Sequence, residues 1–451
     1  MTGKAGSDEA TPAGAVPEDA GIGRAYHAAL AALGDRGRFG IHLGLGRTRA
    51  LLRELGDPHL AIRGALVGGT NGKGSVLALC GAALRAAGLR VGETPKPHLV
   101  TYRERLQLAG RPIDAATFIR LVNDAIAATD RLPRRLGDPT EFELLTAVVF
   151  RWFADERVDL ALVEVGLGGR LDATHAWDGG VAAIIERGDL AVTGAVGEAR
   201  AIVRRRAARL GVPLRIVDPA AVVALDRDGL IVELPRLGRT RVGLRGRHQA
   251  ANVAVADAIL DSLAAAGIAD VPDAARRRGY AEVRWPGRLE LLSIDGRDVL
   301  LDGAHNPAGA ATLAAALDEL RPFLGAGRLT LLTASMADKD VVGVVDALTR
   351  SSALADARIV ATAVEGPRAL PADELAGVWS MSRGTPAGAG RSVRAEPDIA
   401  TALDRILAGP PGPIVVAGSL YLVGAVRARL VDDPLLRDPV PRADPGDNRP
   451  R

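Results

Sequence analysis

The sequence predicts an α/β protein of two domains, each a mostly parallel sheet flanked by helices. Three observations carry this reading. Short β-like runs alternate with amphipathic helical runs through most of the chain, the pattern of strand–helix crossover units. At 451 residues the chain exceeds what one ordinary core fills. Aromatic residues make up only 3% against 48% apolar residues overall, so Ala, Leu and Val must fill the space between sheet and helices.

The clearest strands are expected at 65–68, 159–165, 180–185, 299–302, 329–333 and 413–417, with helices at 74–87, 249–265, 307–320 and 420–430. Residues 1–21 are rich in Gly, Ala, Pro and acids without periodicity and read as a disordered leader. The Pro-, Asp- and Arg-rich end, 432–451, reads the same way. Between them, the run Arg276-Arg277-Arg278 precedes Trp285-Pro286-Gly287-Arg288, and a new strand–helix series starts at Leu289. The expected domains are therefore 22–288 and 289–431.

Charge and composition exclude several classes. A net charge of +3 is too small for a dedicated nucleic-acid binder. No apolar run is long enough to span a membrane. One cysteine, Cys80, rules out an internal disulfide framework and fits a reducing cytoplasm; its apolar helical setting reads as a buried thiol. The chain has four lysines (Lys4, Lys73, Lys96 and Lys339) against 53 arginines. Arg replaces Lys in most surface roles but not as a compact charge, so each remaining lysine is a candidate for a specific task.

The strongest local signal is Gly68-Gly69-Thr70-Asn71-Gly72-Lys73-Gly74-Ser75, after a strand and before a helix. Glycines let successive backbone N–H groups turn inward on an anion, and the helix N-terminus adds its dipole. Lys73 can reach terminal phosphates and Ser75 offers a hydroxyl to Mg²⁺. The spacing departs from the standard pattern, with Val at 67 and Gly74 between Lys73 and Ser75. The first domain is thus a P-loop domain and the second, smaller one Rossmann-like. Glu164 is expected at the carboxyl end of the strand at 159–165, where ligands gather on an open parallel sheet and a carboxylate can hold Mg²⁺. Arg288, after Pro286-Gly287 at the domain junction, is placed to reach a phosphate on domain closure or to be a solvated linker residue. Phe142 reads equally well as core.

Thr70 to Ser75 resembles the variant P-loop of the Mur ligase superfamily, in particular its folylpolyglutamate/dihydrofolate synthase branch. Other segments are similar in the same order: Pro97-His98-Leu99 with Tyr102 to Arg105, Thr140-Glu141-Phe142-Glu143, Glu164 to Thr174, His248-Gln249 with Asn252, Pro286-Gly287-Arg288, Asp302 to Pro307, and Ala337 to Asp340. The resemblance implies an ATP-dependent amide ligase that adds L-glutamate to a folate or dihydropteroate carboxylate through an acyl phosphate, as a monomer with ATP and Mg²⁺. It implies an ATP site of Thr70, Asn71, Gly72, Lys73, Gly74, Ser75, Asn252, Arg288 and Asp302, with His305 nearby. Thr140, Glu141, Phe142, Glu143, Leu171, Asp172 and Ala173 would touch the pterin, and Ser75 and Glu164 the metal. The Asp338-Lys339-Asp340 turn reads as an ion-paired turn first and a substrate contact second.

The sequence also departs from that family at the metal site. Lys96 stands where the family has a serine ligand, and an ammonium has no lone pair to give. The family's Gly-Leu-Asp-His segment and its later segment with a carbamylated lysine are missing, since Val181 to Ile185 runs directly into Glu186-Arg187-Gly188-Asp189. His175 replaces the usual Asn. Lys96 is therefore a candidate to supply charge in place of an ion. The alternatives are another Mur-type carboxylate–amine ligase, or an ATP- and folate-binding paralogue with impaired catalysis.

Overall fold

The structure is a computed structural model describing residues 18–37, 44–166, 169–177, 180–182, 190–382 and 392–441. Its first sheet has eight strands: β1 (Gly64–Val67), β2 (Val91–Thr94), β3 (Gln107–Leu108), β4 (Arg111–Pro112), β5 (Leu160–Glu164), β6 (Gly180–Ala182), β7 (Ala191–Thr193) and β8 (Leu214–Ile216). Their order is β4-β3-β2-β5-β1-β6-β7-β8, parallel from β2 to β8, with β3 and β4 added antiparallel at one edge. The central strands β1 and β5 are buried at every position, as expected of parallel strands covered on both faces.

Helices pack on both faces. On one face Lys73–Ala86, Gln249–Ala265 and Asp273–Glu282 enclose a core of Val, Leu and Ala around Leu77, Leu84, Ile259 and Tyr280. On the other, Glu18–Gly37, Gly46–Glu54, Ala115–Thr129 and Glu141–Asp155 enclose Leu51, Phe118, Phe150 and Phe153. A three-stranded antiparallel sheet, β9 (Ala221–Asp226), β10 (Gly229–Leu234) and β11 (Gly238–Val242), joins the first core through Leu230, Val232 and Val242.

The second sheet begins at Glu290. It comprises β12 (Glu290–Ile294), β13 (Arg297–Asp302), β14 (Thr330–Thr333), β15 (Arg358–Ala361), β16 (Ser392–Ala395) and β17 (Ile414–Ala417), in the order β12-β13-β17-β14-β15-β16. Only the β12–β13 pair is antiparallel. The helices Gln249–Ala265, Pro307–Leu320 and Leu420–Leu430 have the limits that their apolar periodicity and N-terminal residues indicate. Asn306 and Ser419 cap the last two, accepting from Gly309 N and Tyr421 N.

Both termini depart from the sequence expectation. Of the expected leader, residues 1–17 lie outside the described residues, but helix already begins at Glu18. At the other end, 432–441 is ordered against the first domain. The buried Arg103 guanidinium donates to Leu435 O at 3.1 Å and Arg437 O at 2.8 Å, and Thr101 Oγ1 donates to Asp438 Oδ1 at 2.5 Å. A buried guanidinium needs acceptors, and composition alone does not show that the tail supplies them. Of the strand expected at 180–185, only β6 is described. Residues 183–189, where the shortened metal-site segment falls, lie outside the described residues, as do Leu167 and Gly168.

The second domain's core receives Leu99 from the first, in the loop after β2, and that loop is fixed by Glu104. The Glu104 carboxylate accepts from Val100 N at 2.7 Å and Thr101 N at 2.8 Å. Among the described residues no helix is long and apolar enough to cross a membrane.

Candidate active site

Three neighbouring strands of the first sheet end together. Val67 at the end of β1 lies opposite Glu164 at the end of β5, and Thr94 of β2 lies opposite Val163. The phosphate loop follows β1, Lys96 follows β2, and Glu164 closes β5, so pairing register alone brings these motifs to one edge. Across from them stand Arg288 and the loop after β13. Together they line one cavity of about 570 Å³, shared by the two domains.

The loop is held open by contacts that leave no room for larger residues. Gly72 has φ +82°, and a Cβ there would lie 2.5 Å from Asn252 Oδ1. Asn252 Nδ2 donates to Gln249 Oε1 at 2.8 Å, and Gln249 Nε2 donates to Ser75 Oγ at 3.4 Å. One face of Gln249–Ala265 thus fixes both the turn and the hydroxyl of the loop. A Cβ on Gly74 would lie 2.9 Å from Trp285 Cζ2, so the loop also abuts the segment leading to Arg288. Lys73 Nζ donates to Gly69 O at 2.9 Å and stands 3.9 Å from Glu164 Oε1. That curled position keeps its charge over the mouth of the loop.

Glu164 is buried, and burial raises its pKa despite the Lys96 amide, Lys73, Lys96 and Arg288 favouring the charged form. Its Oε2 accepts from Lys96 N at 2.9 Å, while Lys96 Nζ donates to Glu164 O at 2.6 Å and lies 4.5 Å from the centre of the Phe142 ring. Burial pushes the Lys96 ammonium down to about 8, opposed by Asp172 and Glu164. The lysine therefore bonds the backbone of Glu164 rather than pairing with its carboxylate.

In the second domain, Asp302 Oδ2 accepts from Leu289 N and Oδ1 from Ala304 N, both at 2.9 Å. Leu289 has φ +45°, a costly conformation for a branched side chain, and the Asp302 bond holds it there directly after Arg288. Burial raises the Asp302 pKa against the nearby Arg288. The Glu290 carboxylate accepts from Gly287 N and from Arg427, pinning the junction from the other side. His305 Nδ1 lies 2.8 Å from Gly303 O; an N–H there leaves Nε2 as an acceptor at the cavity.

The structure brings together Thr70 to Ser75, Lys96, Phe142, Glu164, Asn252, Arg288, Asp302 and His305. Phe142 is at the cavity wall, not in the core. Other expected pterin contacts have structural work. Thr140 and Glu143 form a capping box at the start of Glu141–Asp155, and Glu143 also pairs with Arg47 at 2.9 Å. Glu141 accepts from Tyr102 OH. Asp172 caps the short helix Ala173–Ala176 through Thr174, Ala173 is buried and Leu171 is exposed. The 338–340 turn is ion-paired, with Asp338 facing Arg368 at 3.5 Å, and Asp340 caps Val341–Leu348 through Gly343 N.

The sequence assigns no role to several cavity residues, Gln249, Arg105 and His248 among them. Gln249, one helical turn before Asn252, was legible as a same-face polar pair. Arg105 is fixed by His98 Nδ1 at 2.9 Å and by the Tyr102 ring at 4.4 Å. His248 is pushed down to about 4 by burial.

Among the described residues no three His, Cys, Asp or Glu side chains group as a metal cage. The donors present, the Ser75 hydroxyl and the Glu164 carboxylate on one cavity wall, suit a Mg²⁺ that brings nucleotide phosphates and water as its remaining ligands.

A phosphate loop facing an arginine across a two-domain cleft belongs to an enzyme that draws on a nucleotide and closes over it. Residues 287–420 match the Mur ligase, glutamate ligase domain. The dihydrofolate synthase/folylpolyglutamate synthase of Bacillus subtilis is 30% identical over 90% of this chain and 99% of its own length. The Mycobacterium tuberculosis folylpolyglutamate synthase structure complexed with ADP has a TM-score of 0.78 at 28% identity, covering 91% of this chain and 99% of that one. A Yersinia pestis bifunctional enzyme complexed with AMPPNP and Mn ion has a TM-score of 0.72 at 27% identity, covering 90% and 98%. The cleft is that of an ATP-dependent ligase. The chain belongs to the folylpolyglutamate synthase/dihydrofolate synthase family.

Proposed function

We propose that this chain joins L-glutamate to the carboxylate of a folate or dihydropteroate, using ATP to form an acyl phosphate first. The observation that carries this reading is the single cavity in which the phosphate loop, Glu164 and Arg288 meet. Loop N–H groups and Lys73 bind the nucleotide phosphates. A Mg²⁺ held by Ser75 and Glu164 supplies neutralisation of phosphate charge. Arg288 adds a charge from the domain junction, and its aim is fixed by Asp302 through Leu289.

A carboxylate is a poor electrophile because its departing group would be oxide. An acceptor oxygen attacks the terminal phosphorus and ADP leaves. The glutamate amine then attacks the acyl carbon, inorganic phosphate leaves, and the amine gives up a proton. With an Nδ1–H given to Gly303 O, His305 Nε2 is the acceptor this scheme uses for that proton. The two domains hold acid, nucleotide and amine together and exclude water that would hydrolyse the intermediate. The working unit in this scheme is a monomer, and the lone buried Cys80 suits a reducing cytoplasm.

The test is ADP release with each component omitted in turn. The reading expects release only when ATP, Mg²⁺, L-glutamate and a pterin acid are all present. Nucleotide binding without such release contradicts the ligase assignment and points to a nucleotide- and folate-binding protein.

A further inference from the structure

Among the described residues four cations line the cavity, Lys73, Lys96, Arg105 and Arg288, and the nucleotide reading uses two of them. Lys73 serves the loop and Arg288 lines the same cavity from the domain junction. Lys96 comes from a different strand end, over the Phe142 ring, in the cavity that Arg105 also lines. An ammonium has three N–H donors, and among the described residues the Glu164 carbonyl is the hydrogen-bond partner of this one.

The carboxylates near Lys96 are engaged elsewhere. Glu164 Oε2 takes the Lys96 backbone N–H and Oε1 faces Lys73. Asp172 Oδ1 takes Thr174 N at 3.0 Å and Thr174 Oγ1 at 2.6 Å. Lys96 is thus a compact cation whose position is set by a backbone carbonyl and an aromatic face, with donors left for a ligand. The Asp172 and Glu164 carboxylates favour its charge without taking a hydrogen bond from Nζ, so an anion entering the cavity meets unused donors.

We propose that Lys96 seats the carboxylate of the acceptor acid beside the terminal phosphate of the nucleotide. This rests on the ligase reading above and adds the residue that draws the acid in. The two reacting groups are both anions, and they approach only if a cation stands between or beside them. Lys96 lines the same cavity as Lys73 and Arg105, both of which act on its charge, so a carboxylate bound to it shares the cavity with the phosphate loop. Phe142, whose ring faces the Lys96 ammonium, adds apolar lining for a conjugated ring carried by the acid. Lys96 is a carboxylate-binding residue in this scheme and takes no proton.

Calorimetric titration tests this independently of turnover. Wild type, Lys96→Gln and Lys96→Arg are each loaded with Mg²⁺ and a non-hydrolysable ATP analogue. Dihydropteroate, tetrahydrofolate and the methyl ester of whichever binds more tightly are then titrated. Lys96→Gln should weaken the acid by at least about tenfold, the loss expected for one charge-assisted hydrogen bond. It should leave the ester and the ATP analogue within about twofold, and Lys96→Arg should retain most of the acid affinity. Unchanged acid affinity in Lys96→Gln overturns the proposal, as does an equal loss for acid and ester, or a loss confined to the nucleotide. Failure of both acids to bind wild type also overturns it. A wild type that binds the acid through Lys96 but releases no ADP sustains this assignment and refutes the ligase reading instead.

Discussion

Replacing Gly72 by alanine puts a methyl group 2.5 Å from Asn252 Oδ1, in a residue whose φ is +82°. Two costs follow, and they are separable. The left-handed backbone costs an alanine about 1–2 kcal/mol that glycine does not incur. The methyl also drives the Asn252 amide aside, breaking its 2.8 Å bond to Gln249 and costing about 1 kcal/mol more. The sum is about 2–3 kcal/mol. Gln249 in turn touches Ser75, so the disturbance reaches the metal-facing hydroxyl. A double-mutant cycle isolates the second cost, because Asn252→Ala removes the clash while leaving the backbone unchanged. Urea unfolding of wild type, both single variants and the pair gives the cycle, and ADP titration of the same four proteins shows whether the loop still binds. Gly72→Ala should cost about 1 kcal/mol less in the Asn252→Ala background than in wild type. Equal costs in both backgrounds, or a single-variant cost below about 0.5 kcal/mol, would refute the role given to this contact.

Three further outcomes are expected. Lys73→Ala removes the charge over the loop and should weaken ATP binding at least about tenfold by calorimetry, because a hydrogen bond to a charged group is lost; unchanged affinity would remove the loop from the nucleotide site. Arg288→Ala should leave the fold intact yet cut turnover at least about tenfold if closure delivers this charge. Unaltered kinetics would make it a linker residue. Burial and Arg105 push His98 down from 6.5 to about 4, so its neutral form is favoured in the folded state. Its contribution is therefore fully present above pH 6.5 and is lost as pH falls toward 4. His98→Gln keeps an acceptor for Arg105 and should lose on the order of 2 kcal/mol less than wild type over that window; parallel pH profiles in urea unfolding would contradict this.

The sequence made the sheet-edge chemistry legible because it depends on local pattern. A glycine-rich turn between a strand and a helix, or a carboxylate ending an apolar run, states its position through period and neighbours. The same holds for the limits of Gln249–Ala265 and Leu420–Leu430. What depends on contacts distant in sequence was not legible. Glu143 lies in a motif that resembles a substrate contact, yet its carboxylate serves a helix cap and Arg47. The tail has the composition of a disordered end, but Arg103, more than 300 residues earlier, takes its carbonyls. Lys96 was identified by rarity, whereas its bond to the Glu164 carbonyl depends on how β2 pairs with β5.

The most direct test of the account follows the oxygen atoms. If the acceptor carboxylate is phosphorylated before the amine attacks, one of its oxygens must leave with inorganic phosphate. A heavy-oxygen label in the carboxylate of a pterin acid, followed by mass spectrometry of the phosphate released with ATP, Mg²⁺ and L-glutamate, detects this. The account predicts one labelled oxygen in the phosphate for each amide formed. Unlabelled phosphate, with the label retained in the acid, would contradict it.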